Sequence, residues 1–281
     1  WAAPERVEEI QIARRALAAY GVPCSVPIPD LKGETLLRWH GSMIEMEVYV
    51  EHDSIMDSWE RLEQALPCLG KIHSALSRVE VSEHGRKAPA CNSIAAEETG
   101  VLAQRGAAAL RRLYGTADAL ALADLSDELC SSILECGNAT GGNRQLVHGD
   151  FWDNNVLFRK GSLALVADLD FMGERPRIDD VALTLYYTNS SRPEGRTTPA
   201  RIAMLRSLVD RYDLGLEEPL SSAERLALPV ALARSPLCFI GMIATVDSKT
   251  EGEKLIREMT PDAIWALDIV RNLERWQGGF A

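Results

Sequence analysis

The sequence predicts an α+β fold, with a few strands at the front, a large helical mass behind them and a small hairpin embedded in it. Three observations predict this. In residues 44–51 Ile44, Met46, Val48 and Val50 alternate with Glu45, Glu47, Tyr49 and Glu51, the period of a strand. Residues 7–20, 59–76 and most of the chain after Asp179 repeat apolar residues at helical spacing. Between the helical stretches, the strand-like runs "NVLF" and "LALVADLDF" meet across "RKGS". Strands do not alternate one by one with helices, which excludes a βαβ sheet.

In chain order, Pro4 suits a first helical position, and Glu5, Glu8 and Glu9 suit the positive end of the dipole. Val7, Ile10, Ala13 and Leu17 then form one stripe, and Gly21 and Pro23 end the helix. The chain opens without a Met, at the first turn of this helix, as a fragment does. "VPCSVPIPDLKG" is extended, because its three prolines forbid helix. "TLLRWHG" and "SMIEMEVYVE" read as two strands turning at Gly41 and Ser42, with Ile44, Met46, Val48 and Val50 on the buried face. Helix follows from Asp53 to Val79, carrying Trp59, Leu62, Leu66, Leu69, Ile72 and Leu76 on one stripe, kinked or divided at Pro67. "HGRKAPACNS" is a loop; helices run from about Ile94 to Leu113 and about Leu125 to Cys136; "GNATGGNRQ" is a second loop. His73, on the apolar stripe, reads as a satisfied core residue.

Composition narrows the function. The 281 residues are 46% hydrophobic and 25% charged, an ordinary globular balance. The net charge of −11 argues against a nucleic-acid surface and suits a cationic partner or a metal. No apolar run reaches the length of a membrane span, and no signal peptide opens the chain. The six cysteines, Cys24, Cys68, Cys91, Cys130, Cys136 and Cys238, form no C-x-x-C pair and no zinc spacing; they read as small buried residues of a reducing cytoplasm.

The chemistry concentrates in "LVHGDFWDNNVLF" (residues 146–158), where His148, Asp150 and Asn155 sit among apolar residues. With the hairpin turn centred on Gly161, Asn155 lies opposite Ala167 or Asp168. Asp168 and Asp170, two apart, point to the same side. A base-like Asp, an amide oxygen and one or two carboxylates thus converge. Hard oxygens of this kind suit Mg²⁺, which borrows further ligands from substrate phosphates.

"HGDFWDNN" resembles the H-G-D-x-x-x-x-N catalytic loop of the aminoglycoside phosphotransferase and choline kinase family. "VADLDF" resembles that family's metal-binding strand, "RIDDVALTLYY" its following D-[LV]-A segment, and "EEIQIARRALAAYGVPCSVPIP" its first helix and approach to the next strand. The resemblance covers essentially the whole chain and is specific from His148 to Ala182. It implies a protein-kinase-like fold, with a partial N-terminal nucleotide-binding lobe and hinge at 1–52 and a helical catalytic and acceptor-binding lobe at 53–281. It implies direct in-line transfer from ATP, or another nucleoside triphosphate, with Mg²⁺, to a hydroxyl of a small molecule such as an antibiotic or amino alcohol.

Carried over, Asp150 is the catalytic base and Asn155 and Asp168 hold Mg²⁺. His148 braces the loop and Asp180 anchors it from behind. Asp170 is either a further metal neighbour or an acid behind the ligands. Glu8 or Glu9 pairs with the ATP-binding Lys, and Glu47, Val48 and Tyr49 offer backbone contacts to adenine. The family's glycine-rich hairpin and Lys-bearing strand, expected before the first helix, are not in this chain. The alternatives are a catalytically inactive kinase-like binding module and a homoserine kinase-like metabolic enzyme. A protein kinase is disfavoured, because the loop reads H-G-D and no A-P-E follows. Acids at Asp210, Asp213, Glu217, Glu218 and Glu224 are candidates to attract an amine-bearing acceptor.

Overall fold

Helix α1 (Pro4–Ala19) forms where the sequence places it, with Pro4 in its first turn and Gly21, at φ +79°, leading the chain away. This computed structural model describes residues 3–87, 96–137, 142, 144–192 and 194–281. Cys91, the expected helix start at Ile94 and parts of the loops expected at 84–93 and 137–145 lie outside the described residues.

After α1, β1 (Leu37–Trp39) and β2 (Ser42–Ile44) pair antiparallel through a two-residue turn. His40 and Gly41 both take positive φ, the geometry that matches strand twist in a tight hairpin. β2 is shorter than expected, and its faces are inverted. Ile44, Met46 and Val48 are 42%, 56% and 64% exposed, whereas Glu45 and Glu47 face Arg14 of α1. The alternation is real, but the buried partner is a guanidinium, so the acids turn inward.

β3 (Ser54–Ile55) precedes α2 (Trp59–Leu76), which Ser58 caps by accepting the Arg61 N–H at 3.3 Å. Pro67 does not divide α2. It removes the N–H that the Glu63 carbonyl would receive, and Arg211 Nε donates there instead at 3.3 Å. The short α3 (Glu83–Arg86) and then α4 (Thr99–Ala109) follow. α5 (Ala117–Glu135) begins at Ala117 rather than near Leu125, because Thr116 caps it through the Ala119 N–H.

The central strands are β4 (Arg144–Val147), β5 (Val156–Arg159), β6 (Ser162–Val166) and β7 (Gly173–Pro176). β3, β5 and β6 form one antiparallel sheet, and β4 pairs with β7. The chain ends in helices α6 (Arg177–Ser190), α7 (Pro199–Asp213), α8 (Ser222–Met242), α9 (Lys249–Arg271) and α10 (Leu273–Phe280).

Two compact units result: one from Trp1–Pro89, Arg144–Arg177 and Leu208–Pro219, the other from Ala90–Asn143, Ile178–Ser207 and Leu220–Ala281. The first unit does not stop at residue 52, because β3 pairs with β5 and so ties residues 54–55 to the central hairpin. In this unit the α2 stripe is fully buried from Leu62 to Leu76, and His73 is a satisfied core residue, its Nδ1 lying 2.6 Å from the Tyr212 hydroxyl.

The second unit packs α4, α5, α8 and α9 together, with α10 on α8. Gly106 lets α4 approach the Ile240 backbone of α8, where a side chain would collide. Its polar centre is Asp262, which accepts from the Tyr186 hydroxyl at 2.7 Å, the Ser190 hydroxyl at 2.8 Å and Arg196 at 2.6 Å. Contrary to the sequence expectation, Ser222–Thr245 is long and apolar enough to cross a membrane by length and composition; 83% of that window is buried within the protein. Its apolar length serves a core helix.

Candidate functional site

The site is built on the β5–β6 hairpin. Lys160 and Gly161, both at positive φ, make its two-residue turn, and Arg159 pairs with Ser162. A one-residue register shift between Leu157 and Phe158 then sets Asn155 opposite Ala167, whose N–H donates to the Asn155 carbonyl at 2.9 Å. Asn155 and Asp150 are 8% and 5% exposed. The Asn155 Nδ2 donates to the Asp150 Oδ2 at 2.8 Å and to the Asp150 carbonyl at 3.0 Å. The amide is thereby oriented, its nitrogen toward Asp150 and its oxygen the other way.

His148 is completely buried. Its Nε2 lies 3.1 Å from the Ala167 carbonyl, and its Nδ1 accepts the Asp150 N–H at 3.3 Å. One neutral tautomer, protonated at Nε2, satisfies both contacts, so the ring ties β6 to the loop. Gly149 between them has φ +82°, and a side chain there would collide with the Phe171 carbonyl oxygen. The loop bearing Asp150 and the turn following Asp168 therefore touch backbone to backbone.

The expected second strand stops at Val166, and Asp168 lies in a turn with φ +60°. The left-handed region is uncommon for a residue with a side chain, though Asp tolerates it better than most. Its Oδ1 accepts the Asp170 N–H at 3.2 Å, and Met172 N–H closes the turn on the Leu169 carbonyl at 2.9 Å. Asp168 and Asp170 do face one side, as expected, but a turn rather than strand alternation puts them there.

Both line a cavity of about 250 Å³, together with Ile10 and Arg14 of α1, Cys24, Ser25, Glu45 and Glu47. Burial, then the Asp168 carboxylate, push the Asp170 carboxyl above its usual range. Arg14 binds both Glu45 and Glu47 and donates from Nε to the Ser25 carbonyl at 2.8 Å. Burial raises the Cys24 thiol to about 11, so this sulfur stays protonated at neutral pH. Among the described residues no group of three or more His, Cys, Asp or Glu is placed to cage a metal. Asp168 lines this cavity, and Asn155 and Asp150 are not among its lining residues; the Asp168 carboxylate and the Asn155 amide offer the hard oxygens that suit an ion such as Mg²⁺, which completes its shell with water and phosphate.

Glu9 is not on this cavity. Its carboxylate accepts the Ser82 N–H at 3.1 Å, and the α1 residues that face the cavity are Ile10 and Arg14, one helical turn apart. Glu47 is engaged through its side chain, whereas Val48 and Tyr49 lie in extended chain with exposed side chains, Tyr49 at 77%. Asp180 is buried in the first turn of α6, in the second unit, beside Asp179, which pairs with the buried Arg234 at 2.6 Å. Two acids proposed for acceptor attraction are committed elsewhere: Glu217 to Arg78 and Tyr20, Glu224 to the capping box of α8. Sequence reasoning missed Arg6 and Arg14. Their spacing on α1 places them on one face, but charged residues at helical spacing ordinarily mark a solvated surface.

Of the cysteines among the described residues, Cys68, Cys130 and Cys238 are buried, Cys24 and Cys136 are half-buried, and none is in a disulfide.

Known proteins bear on this geometry. No match was found among curated proteins. Solved structures share the fold. The amicoumacin kinase hAmiN, in complex with AMP-PNP, Ca²⁺ and Ami, superposes with a TM-score of 0.65 at 16% identity, over 93% of this chain and 78% of that one. An aminoglycoside phosphotransferase from Alicyclobacillus acidocaldarius gives 0.64 at 13% identity, over 98% and 84%. A microcompartment-associated aminopropanol kinase gives 0.64 at 16% identity, over 97% and 84%. The fold is protein-kinase-like. The model of the phosphotransferase enzyme family matches residues 1–213. A family match over most of the chain, on a fold that carries the Asp150–Asn155 loop and the Asp168 turn, leads to one conclusion: the chain belongs to the phosphotransferase enzyme family.

Proposed function

We propose that this phosphotransferase moves the terminal phosphoryl group of ATP, or of another nucleoside triphosphate, onto a hydroxyl of a small amino alcohol or amine-bearing antibiotic. The observation that carries this reading is the bond from Asn155 Nδ2 to Asp150 Oδ2. It fixes one carboxylate oxygen of Asp150, and in this reading that carboxylate orients and deprotonates the hydroxyl of an acceptor. The same bond turns the Asn155 oxygen away from Asp150, as a metal ligand requires. Asn155 and Asp168 would hold Mg²⁺, which when bound neutralises charge on the phosphate oxygens.

In this reading His148 keeps the loop in register with β6, and the backbone of Glu47, Val48 and Tyr49 meets the adenine. No covalent intermediate is needed when both substrates are held in line. The acceptor class is supported by the names of the structural relatives, which denote an aminoglycoside and an aminopropanol as substrates, and by the net charge of −11. The bound AMP-PNP of the amicoumacin kinase supports the nucleotide.

The test is ADP release from Mg-ATP with a panel of aminopropanol, ethanolamine, choline, homoserine, aminoglycosides and neutral alcohols. The expected result is release that depends on an amine-bearing alcohol. Asp150→Asn should keep the fold and nucleotide affinity and lower turnover by about 10²–10⁴-fold. Lost nucleotide affinity with unchanged turnover would remove the base role, and no release above the water background would sink the transfer reading.

A further inference from the structure

Arg6 projects from the first turns of α1, and its guanidinium donates to four backbone carbonyls. Its Nη1 donates to the carbonyls of His84 at 3.0 Å and Lys87 at 2.9 Å, and its Nη2 to those of Asp170 at 2.8 Å and Met172 at 2.6 Å. One planar guanidinium thus fastens two chain segments to α1. One of them is the turn that begins at Asp168. A fork of donors in fixed geometry reads the positions of carbonyls, which a lysine ammonium cannot do with the same angular demand.

The turn needs an external hold. Asp168 has φ +60°, and a non-glycine residue stays there only when its surroundings over-determine it. The turn's own bond, Asp170 N–H to Asp168 Oδ1, uses a carboxylate oxygen of Asp168, a residue that lines the cavity. Any ligand that recruits that oxygen weakens the turn's internal bond. Holds that do not use the carboxylate include the Met172–Leu169 bond, the packing of Phe171 on Gly149, the pairing of Gly173 with Val147, and Arg6. Of these, only Arg6 joins the turn to α1, the helix that also carries Ile10 and Arg14 into the cavity at successive turns.

We propose that Arg6 is a positioning residue for Asp168, clamping the Asp170 and Met172 carbonyls so that the carboxylate stays presented to the cavity when its own turn bond is given up to a metal. This rests on the phosphotransferase reading above, and it places the control of metal affinity in the first helix. Outer groups that fix a metal ligand are worth about 10–100-fold in affinity.

The test compares Arg6→Lys and Arg6→Gln with wild type and with Arg15→Ala, a change at an exposed residue of the same helix. Two readouts are used. Amide hydrogen exchange of peptides covering residues 168–173 needs no catalysis; it should quicken about tenfold in both Arg6 variants, while core peptides of α2 stay protected. The Mg²⁺ concentration for half-maximal ADP release should rise about tenfold or more, with the acceptor KM unchanged. Arg15→Ala should alter neither. Folded variants with wild-type exchange and wild-type metal requirement would overturn the proposal. So would failure of both Arg6 variants to fold while Arg15→Ala folds, which would assign Arg6 to folding alone. If wild type releases no ADP with any acceptor, the phosphotransferase reading fails by itself. The exchange readout then still decides whether Arg6 holds the turn.

Discussion

Glu47 shows how one carboxylate can be read two ways. In sequence it is one of the polar residues of an alternating strand; in the structure it is bound to Arg14 and to the Ser25 hydroxyl. Burial acts to raise its pKa, but the Ser25 hydrogen bond, Glu45 and Arg14 outweigh it, and the group titrates below its ordinary value of 4.5. Because the folded-state pKa is depressed, the unfolded chain binds more protons. The stabilisation is therefore present above 4.5 and is lost as pH falls through the folded value. The side chain is 41% exposed and its charge is partly screened, so Glu47→Gln should cost only about 0.5 kcal/mol near neutral pH. Thermal melts of the two proteins should converge toward pH 3, and a deficit that is constant across pH would assign the effect to packing instead.

At the scale of elements, the part of the site legible in sequence was the part whose geometry is local. "RKGS" makes a two-residue turn that pairs Arg159 with Ser162; the turn alone would set Asn155 against Val166, and a one-residue register shift between Leu157 and Phe158 brings it against Ala167. The inverted face of β2 was not legible. A period of two says that a strand has two faces, and only the partner decides which is inward. That partner is Arg14, brought from α1 by tertiary packing. β7 was missed for a related reason: "GERP" carries no strand pattern and is extended because it pairs with β4. Helix starts are written in the side chains that cap them, a local signal that the apolar stripes of α5 and α8 do not carry. Ser221 and Glu224 make a reciprocal capping box at the start of α8, so Glu224 belongs to that helix end. Ser221→Ala should cost about 1 kcal/mol and lower the melting temperature by roughly 2–4 °C by calorimetry. An unchanged melting temperature would mean that α8 is held by burial alone.

For the whole molecule, stability in the second unit converges on Asp262, which is 1% exposed and receives three donors from the α6 end and the segment after it. Asp262→Ala removes the carboxylate that pairs with Arg196, itself 8% exposed. Breaking one side of such a pair costs about 3–5 kcal/mol, a large fraction of a typical folding free energy. Chemical denaturation should show that loss, and a change under 1 kcal/mol would show that water replaces the carboxylate. The β1–β2 ribbon carries a different consequence. Leu37, Trp39 and Ile44 are exposed along it, and Met46 and Val48 just beyond it, on a chain with a net charge of −11. Such a particle is kept apart by long-range repulsion and drawn together by short-range adhesion. Screening shortens the repulsion to about 8 Å at physiological ionic strength and leaves the adhesion intact. Added salt therefore moves this protein toward self-association, and its colloidal comfort lies in dilute buffer.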